Sequence, residues 1–414
     1  MLQAELSTFF QRWHALEKSR GSAGGLVVDF DMAPRALHGQ PRPYPDRWAA
    51  LQDLMVLRER VADEQGLWNP VFLAAKLEGA EAYLRALLGE RADAGAYLGA
   101  TMGMFPIRPD PDAMEAEARS LAAAFEERGV PWAQEGRAAW RAEFGRPDLG
   151  GFEADLRQAA SHLVARLRGR LPGLAMPVFA VKVVETDAYW SNWIDGSVES
   201  GVTLQVNTHP RIEYQRTAHL ALAAHEIAGH ACHVAGLRGA AEAGRLDPAA
   251  LNLAVHSCEA FQMEGLAQTM LHLLLEDHEI PGDLRLLERY RAYRGARIND
   301  AWMDLEAGAP IDVVCRALER DLPLAGPLGL RSGLRDRARN PLYRSYISVY
   351  APSRSLFMQA LDLSGPARQR FLAATVMGLW TPGQLAALVR GADPEEVRRG
   401  PSPGVIDGPV GLGR

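Results

Sequence analysis

The sequence predicts a mainly α-helical fold with one short β-sheet, and three observations carry that prediction. Helical periodicity runs through most of the chain: apolar residues recur three and four apart between charged ones. Only two stretches, MPVFAVKVVET and GVTLQVNTH, are rich in β-branched residues or alternate as strands do. Gly and Pro punctuate the helical stretches, as in LHGQPRPYPDR and FPIRPDPD.

The elements follow in order. MLQAELSTFFQRWHALEKSR mixes apolar and charged residues at helical spacing and lacks the apolar core of a signal peptide. WAALQDLMVLRERVADEQ, PVFLAAKLEGAEAYLRALLGE, DAMEAEARSLAAAFEERG and DLRQAASHLVARLRGRL each read as an amphipathic helix. The texture changes after Pro172, where the two strands stand on either side of the turn-like SNWIDGSVESG. Helical signals return from about Arg211 to Arg399. The order predicts an N-terminal helical lobe over 1–170, a second lobe over 171–400, and a loosely held tail over 401–414.

Composition narrows the function. The 414 residues carry a net charge of -6, which argues against a nucleic-acid binder. No apolar run reaches the roughly 18 residues of a membrane span. Three cysteines, Cys232, Cys258 and Cys315, give no disulfide framework and fit a reducing compartment. The expectation is a cytoplasmic protein with neither nucleic acid nor membrane as partner. Nothing in the sequence speaks to oligomeric state.

The chemistry concentrates around HEIAGH. His209, His219, His225, His230, His233 and His256 are six of the eleven histidines, all within fifty positions. HEIAGH resembles the zinc signature HExxH but carries one residue more, so His225 and His230 stand at i and i+5. On a regular helix that places them roughly 140° apart, too far to share an ion. A one-residue π-bulge between Glu226 and His230 would restore the shared face, and Gly229 is the residue best able to take up such a distortion.

An undistorted helix would instead align His219, Glu226, His230 and His233 on one stripe. Glu226, His230 and His233 could then ligate iron or manganese, as in carboxylate-rich bundles. For a third ligand beside His225 and His230, VHSCEAFQMEGLAQTM offers Glu259, Glu264 and, as an outside candidate, His256. Both glutamates lie among apolar residues, where an unpaired carboxylate is costly.

These residues resemble a known family. HEIAGHACH followed by EGLAQ is similar to the bacterial domain-of-unknown-function 885 family, as are LQVNTHPR, RINDAWMDLEAGAPIDVVCRAL, YISVYAPSRSLF and FLAATVMGLWTPGQL. The resemblance covers roughly residues 175 to 390. It implies a zincin-like helical metallopeptidase architecture, with His225, His230 and Glu264 as zinc ligands and Glu226 as general base. Ala228 stands where the family has Pro, and Leu266 where it has Trp. The HExxGH spacing is also similar to that of the dipeptidyl peptidase III family.

Hydrolysis also needs a donor for the developing oxyanion. YRSYISVYAPSR supplies Tyr343, Tyr346, Tyr350 and Arg354, and the resemblance points to Tyr350 and Arg354 as catalytic. GVTLQVNTH could hold an extended substrate by edge pairing. Cys232 and Cys258 have no general base beside them and read as small buried hydrophobes. His272 and His278 read as structural. The leading expectation is a zinc-dependent hydrolase of a peptide or small amide. The alternatives are an iron or manganese oxidase built on Glu226, His230 and His233, and a non-catalytic helical protein.

Overall fold

Helices form where the apolar spacing is helical, and several start on a polar residue whose side chain caps the first turn. The structure, a computed structural model, describes residues 1–21, 27–33, 35–146, 149–187, 191–197, 201–210 and 212–400. The tail over 401–414 lies outside them. Elements used below are α1 (Leu2–Ser19), α2 (Arg47–Asp63), α3 (Pro70–Leu87), α4 (Pro111–Glu126), α5 (Phe152–Arg170), β1 (Phe179–Val184), β2 (Asn192–Ser197) and β3 (Gly201–Asn207). Then come α6, running through Ala218–Leu222, Ala223–Ala231 and Cys232–Glu242, α7 (Glu259–Leu274), α8 (Gly282–Glu306) and α9 (Tyr350–Met358). The fold is mainly α with a three-stranded sheet, as the periodicity predicts. Among the described residues no helix is long and apolar enough to cross a membrane.

The chain groups into two compact units, each assembled from separated stretches. One takes Met1–Ile107, His233–Gly265 and the described residues from Asp336 onward. Here α1 buries Leu6, Phe9, Phe10, Trp13 and Leu16, a stripe recurring every three or four residues. Asp46 accepts from the Ala49 N–H to start α2. Asn69 accepts from the Phe72 N–H to start α3, where Pro70 needs no partner for its nitrogen. Lys76 on α3 is fully buried, ion-paired with Glu259 and bonded to the Asn252 carbonyl at 2.8 Å.

The other unit takes Arg108–Cys232 and Leu266–Arg335 and holds the sheet. Strand order is β1-β3-β2, with β1 parallel and β2 antiparallel to β3. On β3, Val202, Leu204 and Val206 are buried while Thr203 and Gln205 are partly exposed, the period-2 pattern of a half-buried strand. Helix α5 turns Phe152, Leu156, Ala160, Leu163 and Leu167 inward and packs on both β1 and the middle stretch of α6. The sheet and α5 thereby form the bed on which HEIAGH is laid.

Two sequence expectations need correction here. SNWIDGSVESG reads as a turn, yet Asn192–Ser197 is a strand; residues 198–200 lie outside the described ones. Its Asn, Asp and Gly are tolerated because β2 is an edge strand, where packing demands are weakest. GVTLQVNTH therefore cannot offer an edge for a substrate: β3 is the central strand, paired on both sides.

Candidate metal centre

Ala223–Ala231, the nine residues around HEIAGH, wind as a π-helix inside α6. In that winding the backbone bond reaches from i to i+5, so residues five apart stand one turn above each other. The expected distortion is there, and it spans the whole motif rather than one bulge. The Nε2 atoms of His225 and His230 are 3.2 Å apart, with the rings edge to face at 4.8 Å. Gly229 serves differently from expectation, since its φ is not in the left-handed region. A β-carbon there would stand 2.7 Å from the Ala267 Cα and 2.9 Å from its Cβ. The glycine lets α7 come close; it does not supply torsional freedom.

His225 keeps a quarter of its side chain exposed, while Glu226 and His230 are buried. Burial, reinforced by the positive charge of Arg291 and opposed by Glu288, lowers the His225 pKa to about 4. The imidazole is thus neutral at pH 7, the form that binds metals. Glu226 Oε1 accepts from Asn192 Nδ2 at 2.5 Å and lies 3.9 Å from His225 Nε2. Asn192 opens β2, and reading that stretch as a turn hid it. Asn207, at the end of β3, is structural: its Oδ1 accepts from the Thr186 and His209 N–H groups.

The choice between the two glutamates is decided by their partners, some near in sequence and some far. Glu259 is consumed by Lys76, the Ala254 N–H at 2.8 Å and the Ser257 hydroxyl. His256 is stacked on Tyr83 and makes no part of a ligand group. Glu264 Oε1 accepts from the Tyr346 hydroxyl at 2.5 Å, and Tyr350 donates to the Tyr346 oxygen at 3.2 Å. Burial pushes the Glu264 pKa up to about 7, against the pull of the Tyr346 and Tyr350 hydroxyls. Burial and the Glu264 charge push the Tyr346 phenol well above its ordinary value, so its proton stays on the tyrosine. Tyr346 is the contact that the sequence reading passed over in favour of Tyr350.

Gly265 has a packing reason as well. A β-carbon on it would meet the Phe357 ring at 2.5 Å and the Ser353 Cβ at 3.1 Å, so the glycine admits α9 beside the Glu264 turn. Tyr350 and Arg354 stand one turn apart on α9; Tyr350 is half-buried and Arg354 buried. The structure thus brings Tyr350 into the Glu264 network.

Among the described residues, His225, His230 and Glu264 make one group in which each offers a ligand atom, all within 4.8 Å of one another. Two imidazoles and a carboxylate suit zinc and its first-row neighbours. Nitrogens at 2.0–2.1 Å from a tetrahedral ion stand about 3.3 Å apart, close to the 3.2 Å between the two histidines. The donor set fits a metal. The competing stripe is not assembled: His233 is buried with Nδ1 on the Val376 carbonyl, and His219 Nδ1 lies by the Arg216 carbonyl. Cys232 and Cys258 are buried, and burial pushes both thiols up, Cys232 to about 12.

No family model matches this chain, and no curated protein matches it. A solved structure from Colwellia psychrerythraea, described provisionally as a lipoprotein, is similar in fold. The TM-score is 0.54 at 14% identity, covering 83% of this chain and 69% of that one. At that identity the likeness concerns the fold alone.

Proposed function

We propose that the chain is a zinc-dependent hydrolase of a peptide or small amide bond, a cytoplasmic member of the domain-of-unknown-function 885 kind. The observation that carries this reading is the His225, His230 and Glu264 group, with Glu226 beside it and outside it. His225, His230 and Glu264 would hold the ion. Bound zinc supplies Lewis acidity toward a carbonyl oxygen and brings the pKa of water down to about 7.

The remaining roles belong to the chain. Glu226 is an acceptor, aimed by the Asn192 amide, and its carboxylate takes the proton of the attacking water and returns it to the leaving nitrogen. Tyr346 fixes the rotamer of Glu264. Tyr350 and Arg354 are the donors nearest in chemistry to an oxyanion partner. Elemental analysis of protein purified without added metal tests the reading. About one zinc per chain, lost in His225→Ala and in His230→Ala, is expected; iron, manganese or no metal would overturn it.

A further inference from the structure

Within the unit that carries the sheet, a pocket opens between α8 and the chain leading into α6. Trp140, Gln215, Tyr290, Arg291, Arg294 and Leu324 are among its lining residues. Its polar groups are poorly matched from within the protein. Tyr290 is only 6% exposed, yet its hydroxyl has no hydrogen-bond partner, and neither has the buried Trp140 Nε1. Arg294 has no carboxylate in ion-pair contact among the described residues. Arg291 donates to a neutral group, Gln215 Oε1, at 2.7 Å.

The acids nearby are already engaged. Glu213, also in the lining, is ion-paired with Arg141 at 2.9 Å. Glu288, one turn before Arg291 on α8, meets His272 Nε2 at 2.7 Å. Arg137 adds a third positive influence on Tyr290. Two exposed guanidinium groups beside Leu287 and Leu324, with the nearby acids paired elsewhere, suit an anion with a short apolar body. Its place matters too, because the lining residue Gln215 stands just before α6, the helix that carries His225.

We propose that this pocket, at the start of the helix that carries His225, is a carboxylate-binding subsite that seats an acidic side chain or a terminal carboxylate of the substrate. The proposal deepens the hydrolase reading and rests on it for the word substrate. Arg294 supplies the free charge and Arg291 the positioned fork. A carboxylate bound by guanidinium groups gains charge-assisted, bidentate hydrogen bonds that a carboxamide of the same shape cannot make.

Titration calorimetry on the full chain, as purified and with bound metal assayed on the same sample, tests this. N-acetyl-L-glutamine carries one α-carboxylate, N-acetyl-L-glutamate α-amide one side-chain carboxylate, and N-acetyl-L-glutamine amide neither. At least one acid should bind about tenfold more tightly than the neutral amide, and Arg294→Gln should remove about tenfold of that affinity. Which acid binds identifies the source of the carboxylate. Arg291→Gln serves as the second variant, with thermal melting to confirm folding. Equal binding of all three probes, or acid binding untouched by both substitutions, overturns the proposal. So does no binding up to millimolar concentration. A sample without metal that still discriminates the acids would sink the hydrolase reading and keep the subsite.

Discussion

Tyr346 donates its hydroxyl hydrogen to Glu264 Oε1 across 2.5 Å, and Tyr350 donates in turn to Tyr346. A buried carboxylate held this way loses both rotamer freedom and part of the cost of being charged. Tyr346→Phe removes the donor while keeping the ring. Partners of this kind typically contribute 10–100-fold to metal affinity, so zinc should bind the variant roughly tenfold or more weakly. Because the carboxyl then holds its proton more tightly, raising the pH should recover part of the loss. Competition with a zinc chelator at pH 7 and pH 8.5 checks both statements. Unchanged affinity at pH 7 would detach Tyr346 from the site.

Glu264 and Glu259 should behave as two different kinds of residue. Glu264→Ala removes a donor from the ligand group and is expected to lose zinc with little change in folding. Glu259→Ala leaves the Lys76 ammonium buried without its carboxylate. Breaking one side of such a pair costs about 3–5 kcal/mol, so that variant should melt early yet hold zinc while folded. Metal content and urea midpoints on both variants decide it. Zinc lost from a well-folded Glu259→Ala protein would reverse the assignment.

The sequence carried the helices well because each declares itself locally. The stripe of Leu6, Phe9, Phe10, Trp13 and Leu16 and the cap at Asp46 need no distant partner to be read. The extra residue in HEIAGH likewise pointed to a distorted helix, since i+5 ligands fit no regular one, although the stripe of a regular helix stayed open as the alternative. What remained hidden depends on contacts across the chain. Glu259 and Glu264 sit in equally apolar surroundings five residues apart; distant partners, Lys76 for Glu259 across 183 positions and Tyr346 for Glu264, help separate their roles. NWIDGS has the composition of a turn, and pairing with β3 makes it a strand that places Asn192 on Glu226. Gly229 and Gly265 carry no local sign that one meets Ala267 and the other Phe357.

His256 makes the fold sensitive to acid. Its ring is stacked on Tyr83 at 4.6 Å and lies 5.1 Å from Trp13, and neither ring nitrogen has a hydrogen-bond partner. Burial, then the charge of Lys76, lowers its pKa well below 6.5. Burial lowers His233 to about 4 as well. Below pH 6.5 the unfolded chain binds protons that the folded chain refuses, so stability is present above 6.5 and lost as pH falls toward 4. Each group contributes up to about 1.4 kcal/mol per pH unit in that window. His256→Phe should flatten the dependence between pH 6.5 and 4, which urea midpoints at several pH values would record. An unchanged slope would show that His256 is protonated in the folded protein.

Glu226 offers the sharpest test of chemistry. The carboxylate lies 3.9 Å from His225 Nε2, is absent from the ligand group, and accepts from the Asn192 amide. Glutamine in its place keeps the size and can still accept from Asn192 through its amide oxygen, so the fold and the zinc content should be preserved. What glutamine cannot do is take a proton from water at neutral pH. General-base catalysis contributes roughly 10²–10⁴-fold, and turnover of a panel of N-acyl dipeptides should fall by that factor in Glu226→Gln. Metal and turnover are to be measured on one preparation. If zinc disappears together with activity, Glu226 is a ligand and not a base, and a site built with His230 and His233 returns to the front despite the engagement of His233 with Val376. If zinc stays and turnover is unaffected, the proton leaves through another group. Tyr350, which shares the Glu264 network, is then the next residue to replace.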